Sequence, residues 1–104
     1  MSAAKELAQK YIDENAVAVF EKSWCPYCQE TKATLKALKA NVEFIQLDKR
    51  DDGSAIQDAL AEISGQRSVP NIYIGKEHIG GNDALQLRRQ RGQLDKLLAE
   101  AGAL

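Results

Sequence analysis

The chain is poor in the residues that staple, ligate or anchor a protein. Its 104 residues include two cysteines, one histidine, two prolines, one methionine and one tryptophan. Two cysteines make no disulfide framework, and a chain of this length buries somewhat over ~60% of its unfolded surface, enough to fold without one. A zinc site takes about four ligands, and beyond the two thiols only His78 and carboxylates remain, so no metal site is expected. Neither sign of charge dominates, with 14 basic against 15 acidic residues. No global field therefore draws the chain to nucleic acid or to an anionic membrane, and small, non-polyanionic partners fit better. No apolar run approaches membrane-spanning length. The opening stretch to Asn15 lacks the apolar centre of a signal peptide and carries acidic residues that transit sequences avoid. The expectation is one domain over residues 1–104, monomeric and cytoplasmic, without repeats, linker or low-complexity tract.

What the chain does have is Lys22-Ser-Trp-Cys-Pro-Tyr-Cys28, placed between an apolar run, Ala16 to Phe20, and a helical pattern. The two cysteines thus fall at a strand-to-helix junction. A thiol there meets unpaired backbone N–H groups and the positive end of the helix dipole, both of which favour thiolate. An ordinary cysteine, with a pKa near ~8.5, is only about 3% thiolate at neutral pH, whereas helix-terminus C-x-x-C cysteines fall to roughly 3.5 to 7.5. Cys25 is expected to be the acidic one. Pro26 suits the first helical turn, where its fixed φ helps and its missing N–H costs nothing. Cys28, Thr31, Leu35 and Leu38 trace one helical stripe whose leucines must face the core, which predicts Cys25 outward and Cys28 inward. An exposed nucleophile with a shielded second thiol suits mixed-disulfide formation followed by release from within.

Other uses of the pair are weaker. As a staple, a loop of about four residues gives roughly 2 kcal/mol before strain. An iron–sulfur cluster normally takes four thiolates, so this chain holds one only by sharing it with a second chain or outside thiols.

Along the chain, Leu7, Ala8, Tyr11 and Ile12 predict a helix near residues 3–14, and strands are expected at Val17–Glu21 and Val42–Leu47 around a helix from Pro26 to about Lys39. Asp52 or Ser54 can cap a third helix carrying Ile56, Leu60 and Ile63 inward and closing at Ser64-Gly65. Asn71–Ile74 and Glu77–Gly80, joined at Gly75-Lys76, read as an antiparallel hairpin. Gly80-Gly81-Asn82-Asp83 opens a helix with Leu85 and Leu87 available for packing, and a last one carries Leu94, Leu97 and Leu98. The order β-α-β-α-β-β-α, with the dithiol after the first strand, is the α/β pattern of a thioredoxin-like domain. Arg88, Arg89 and Arg91 read as a solvated helix face, and His78 as a surface residue.

Cys25-Pro26-Tyr27-Cys28, Ser68-Val69-Pro70 and Gly80-Gly81-Asn82-Asp83, in this order and at these separations, resemble a dithiol glutaredoxin over essentially the whole chain. Thioredoxins proper resemble it less, since theirs is usually Trp-Cys-Gly-Pro-Cys. The resemblance implies a four-stranded mixed sheet flanked by about five helices, a cis bond before Pro70, and no tightly bound cofactor. It implies glutathione as reducing co-substrate, with Cys25 carrying the glutathione mixed disulfide and Cys28 resolving protein disulfides. Glutathionylated or disulfide-containing proteins are the implied substrates.

It also implies glutathione contacts. Lys22 supplies a cation; Gln57 and Arg67 help hold the glycine carboxylate; Val69, before Pro70, pairs its backbone with the cysteinyl residue. Gly81, Asn82 and Asp83 receive the γ-glutamyl end at a helix N-terminus, and Tyr27 covers the bound disulfide. Family members often carry Ser-Asp or Asp-Asp where this chain has Asp83-Ala84, and Thr where it has Ser68. Two other readings stay open: reduction by a flavoprotein in thioredoxin fashion, and a module carrying an iron–sulfur cluster between two protomers. Pro26 argues against the second by stiffening the turn that would open toward a metal.

Overall fold

Alternation within one short strand decides the layering. In the computed structural model, which describes residues 2–104, Val17 and Val19 face one core while Ala18 and Phe20 face the other. A strand buried on both sides must lie inside a sheet covered on both faces. This strand, β1 (Val17–Glu21), is buried at all five positions. The other elements are α1 (Ala3–Glu14), α2 (Pro26–Ala37), β2 (Glu43–Gln46), α3 (Gly53–Ser64), β3 (Asn71–Ile74), β4 (Glu77–Gly80), α4 (Asn82–Gln90) and α5 (Leu94–Glu100), with a single 3-10 turn at Leu47–Lys49.

The sheet runs β2-β1-β3-β4, with β1 and β2 parallel and both other pairs antiparallel. The result is a thioredoxin-like fold with a four-stranded mixed sheet and five helices. Ala8 and Ile12 of α1 and Ile56, Ala59 and Leu60 of α3 cover the Phe20 face. Leu35 of α2, Leu85 of α4 and Leu94 and Leu98 of α5 cover the Val19 face.

Several boundaries differ from the sequence expectation. Helix α2 ends at Ala37, not near Lys39, and β2 spans only Glu43–Gln46 because Leu47 turns away into the 3-10 segment. Asp52 occupies the N-cap of α3, but its side chain makes no capping hydrogen bond; the carboxylate is held by Arg50 instead, at 2.8 and 3.1 Å. Gly53 follows because a Cβ there would overlap the Leu47 carbonyl oxygen. Leu87 is 43% exposed, since it lies two residues, roughly 200°, from the inward Leu85.

The register brings four chain segments to one end of the sheet. Phe20 pairs with Asn71, so the segment leaving β1 lies beside the one entering β3. Glu21 pairs with Gln46, and Ile72 with Gly80, so the segments after β2 and β4 end there too. Cys25, Asp48, Pro70 and Asn82 all belong to these four segments.

Candidate active site

Cys25 is the N-cap of α2, and its Sγ receives the Cys28 N–H at 3.4 Å, the bond a capping oxygen would otherwise accept. Its own N–H donates to the Lys22 carbonyl at 3.2 Å. Both cysteines are free thiols. Cys28 is inward as its stripe predicts, at 1% exposure. Cys25 departs from the expected outward placement: it is only 6% exposed, because the loop before β3 folds over it and brings the Val69 carbonyl oxygen to 4.0 Å from Sγ. That loop is 44 residues away in sequence, beyond the reach of local periodicity.

Burial pushes the Cys28 thiol up to about 12, and its hydrogen bond to Cys25 adds to the rise. Cys28 therefore keeps its proton at neutral pH. The loop carrying Cys25 is latched from β2's side: Asp48 accepts the Ser23 N–H at 3.0 Å and also the Ser23 hydroxyl. Those bonds, the hydroxyl first, hold the Asp48 carboxyl below its usual range. The latch costs no burial of charge, since Asp48 is exposed.

The loop before β3 carries the cis bond between Val69 and Pro70. Three side-chain amides hold its carbonyls. Gln57 Nε2 donates to Arg67 O at 2.9 Å, Gln66 Nε2 to Ser68 O at 3.1 Å and Pro70 O at 3.0 Å, and Asn71 Nδ2 to Gln66 O at 3.0 Å.

Beside this loop lies a groove of about 440 Å³, lined by Tyr27, Ser68, Val69, Pro70, Gly81, Asn82, Asp83 and Ala84. Six residues singled out in the sequence thus meet on one surface. Gly81 is the N-cap of α4, whose first-turn N–H groups have no partner within the helix. The Asn82 side chain is not turned to the groove for binding. It is 6% exposed, and its Oδ1 accepts from Thr31 Oγ1 at 2.9 Å and Gln86 Nε2 at 3.1 Å. Gln86 Nε2 also donates to Thr34 Oγ1 at 2.9 Å, so α2 and α4 are joined through one polar cluster.

Lys22, Gln57 and Arg67 do not line the groove. Lys22 Nζ lies 5.8 Å from the Trp24 ring centroid. Gln57 is buried with its amide on the Arg67 carbonyl, and the Arg67 guanidinium pairs with Asp58 at 2.9 Å. Sequence reasoning missed Gln66, Thr31, Gln86 and Asp48 as supports of the site, and Ala84 as lining. A polar residue on an inward stripe, as Thr31 is beside Cys28, was the one available signal.

A glutaredoxin family model matches residues 17–79. The chain belongs to the glutaredoxin family. A castor bean (Ricinus communis) glutaredoxin is 49% identical over 104 residues, covering 100% of this chain and 98% of the relative. Among solved structures, a buckwheat glutaredoxin–glutathione complex superposes with a TM-score of 0.95 at 42% identity, covering 97% of this chain and 92% of that one. A wheat glutaredoxin gives 0.95 at 43% identity, covering 98% and 96%. Glutaredoxins are glutathione-dependent thiol–disulfide oxidoreductases, and this glutaredoxin chain is an enzyme of that class.

Proposed function

We propose that the chain reduces glutathione mixed disulfides and protein disulfides through Cys25, with Cys28 as the resolving thiol. The observation that carries this reading is the Cys25 sulfur at the helix N-terminus, facing the Val69 carbonyl at the edge of an open groove. Cys25 thiolate attacks the glutathionyl sulfur of a mixed disulfide; the new S–S bond forms as the old one breaks, and the substrate leaves as thiolate. A second glutathione thiolate attacks the bound glutathionyl sulfur, giving glutathione disulfide and restoring Cys25. With a protein disulfide, Cys28 attacks the Cys25 sulfur of the mixed disulfide; the Cys25–Cys28 bond forms as the Cys25–substrate bond breaks, and the departing thiolate takes the proton that Cys28 gives up. Two glutathiones then reduce the Cys25–Cys28 disulfide. Burial, the main cause that holds the Cys28 proton, persists in the mixed disulfide, but Cys25 no longer adds to it through its hydrogen bond and charge, so attack becomes easier when it is needed.

The groove supports a tripeptide with two carboxylates. Val69 offers its backbone to the cysteinyl residue as an added strand would. Backbone N–H groups at Gly81, Asn82 and Asp83 face the γ-glutamyl carboxylate, and the exposed Asp83 side chain takes its ammonium. The ring of Tyr27, an exposed residue at 62%, covers the disulfide beside Pro70. Lys22 and Arg67 supply cations for the glycine carboxylate, Gln57 acting by placing Arg67. Arg67–Asp58 is 53% and 69% exposed, and such pairs contribute under about 1 kcal/mol, so a ligand carboxylate competes readily. Two cysteines without a further framework fit a monomer working in a reducing compartment such as the cytoplasm.

The deciding experiment is glutathione-dependent reduction of a glutathionylated peptide by wild type, Cys25→Ser and Cys28→Ser. Activity is lost in the first variant and kept in the second, while Cys28→Ser fails on a protein disulfide. Equal loss in both variants on the glutathionylated peptide overturns the assignment of roles.

A further inference from the structure

Of the five carbonyls from Gln66 to Pro70, four accept a side-chain amide: Gln66 O from Asn71, Arg67 O from Gln57, and Ser68 O and Pro70 O from Gln66. The fifth, that of Val69, accepts none of them and faces Cys25 Sγ. The neighbours of Val69 on both sides are thus tied by one side chain. Gln66 Nε2 bridges Ser68 O and Pro70 O like a staple, so the Ser68–Val69 and Pro70–Asn71 peptide units, on either side of the cis Val69–Pro70 unit, cannot rotate independently. Gln66 itself is fixed through its own carbonyl by Asn71, which is fully buried.

From this we propose that Gln66 is a positioning residue of the enzyme. It touches no reacting atom and does not line the groove, yet it sets the direction in which Val69 presents its N–H and C=O. A backbone edge held in the bound geometry spares the ligand the cost of ordering the loop. Loss of the staple therefore appears in recognition of the glutathionyl group rather than in the reactivity of the thiol. The proposal rests on the reading that Val69 pairs with the cysteinyl backbone of glutathione.

The test compares wild type with Gln66→Glu and Gln66→Ala. Gln66→Glu keeps the shape but sets a carboxylate oxygen against two carbonyl oxygens; Gln66→Ala removes the bridge without repulsion and keeps the test valid should the first variant fold poorly. Three quantities are read: KM and kcat for a glutathionylated peptide, the same for that peptide cysteinylated, and the rate of Cys25 alkylation by iodoacetamide against pH. The expected result is a KM for the glutathionylated peptide raised about tenfold in both variants, in line with loss of a backbone hydrogen bond in the bound state. KM for the cysteinylated peptide stays the same, so the preference for glutathionylated over cysteinylated peptide shrinks about tenfold, while kcat changes less than twofold and the alkylation profile stays fixed. An unchanged KM in folded Gln66→Ala overturns the proposal. So does an alkylation profile that moves with KM, because Gln66 would then act through the sulfur. A wild type that does not prefer the glutathionylated peptide overturns the groove reading itself, and that failure shows before any variant is measured.

Discussion

Thr31 donates its hydroxyl to Asn82 Oδ1 across 2.9 Å, joining the helix that carries the two cysteines to the helix that opens beside the groove. Both residues are buried, and Asn82 Oδ1 has a second donor in Gln86 while Thr31 is wholly enclosed.

The two ends of that bond are therefore unequal. Thr31→Val leaves Asn82 with Gln86 and should cost about 1 kcal/mol, whereas Asn82→Ala strands a buried hydroxyl and should cost about 2 to 3 kcal/mol. Urea unfolding of the two variants measures both. Equal losses, or the reverse order, would show that the cluster does not bind the helices together in this way.

Glu21, at 2% exposure, is held by Lys32 Nζ at 2.9 Å and Gln46 Nε2 at 3.1 Å. Removing one partner of a buried pair leaves an uncompensated charge, a loss of roughly 3 to 5 kcal/mol in deep sites and, with the Lys32 side chain 29% exposed here, about 2 kcal/mol. Lys32→Met should lower stability by that amount, and adding Glu21→Gln should restore part of it. A double variant less stable than Lys32→Met would contradict the charge-based account.

The Cys28 thiol is pushed up to about 12 from its ordinary value of 9.0, with burial as the main cause. Between those two values the unfolded chain has released the proton and the folded one still holds it. Stability must then fall as pH rises through this window, by up to about 1.4 kcal/mol per pH unit for one proton. Under reducing conditions, denaturation curves at pH 9 and pH 10.5 should diverge in wild type and draw closer in Cys28→Ser. The same slope in both proteins would assign the alkaline loss to other groups.

At the acid end, burial holds His78 below its ordinary value. Its Nε2 lies 3.0 Å from Asn71 Oδ1, and Asn71 Nδ2 donates to Gln66, so Nε2 is the donor whether or not the ring is charged. Protonation gains no new bond here and meets a desolvation cost. The unfolded chain takes up the proton first, so stability falls as pH drops below about 6.5 and through the folded value. Thermal unfolding between pH 7.5 and 5 should show this loss in wild type and less of it in His78→Gln.

The parts of the architecture legible in the sequence were those with a local cause. The apolar run Ala16–Phe20, the paired short strands around Gly75-Lys76 and the placement of Cys25 before a proline each state their element within a few residues. The cis bond at Pro70 was legible only through family resemblance, since nothing in a lone Val-Pro distinguishes the isomer. What escaped was set by distant contacts. Cys25 is covered by a loop 44 residues on, Gly53 is required by the Leu47 carbonyl, and Gln66, Gln57 and Asn71 converge on a loop without any shared periodicity. An amide that bonds a remote carbonyl has the same sequence signature as one that faces water.

Phe20 and Asn71 form the rung nearest the dithiol end of the β1–β3 pair. The segments bearing the sulfur and the carbonyl that faces it leave adjacent strands at the same end, Cys25 four residues beyond β1 and Val69 two residues before β3, so their separation is gauged by that pairing and not by the length of polypeptide between them. Lengthening the stretch from Lys39 to Asn41, or opening the chain at the Gly75-Lys76 bend on the opposite rim, leaves that gauge intact.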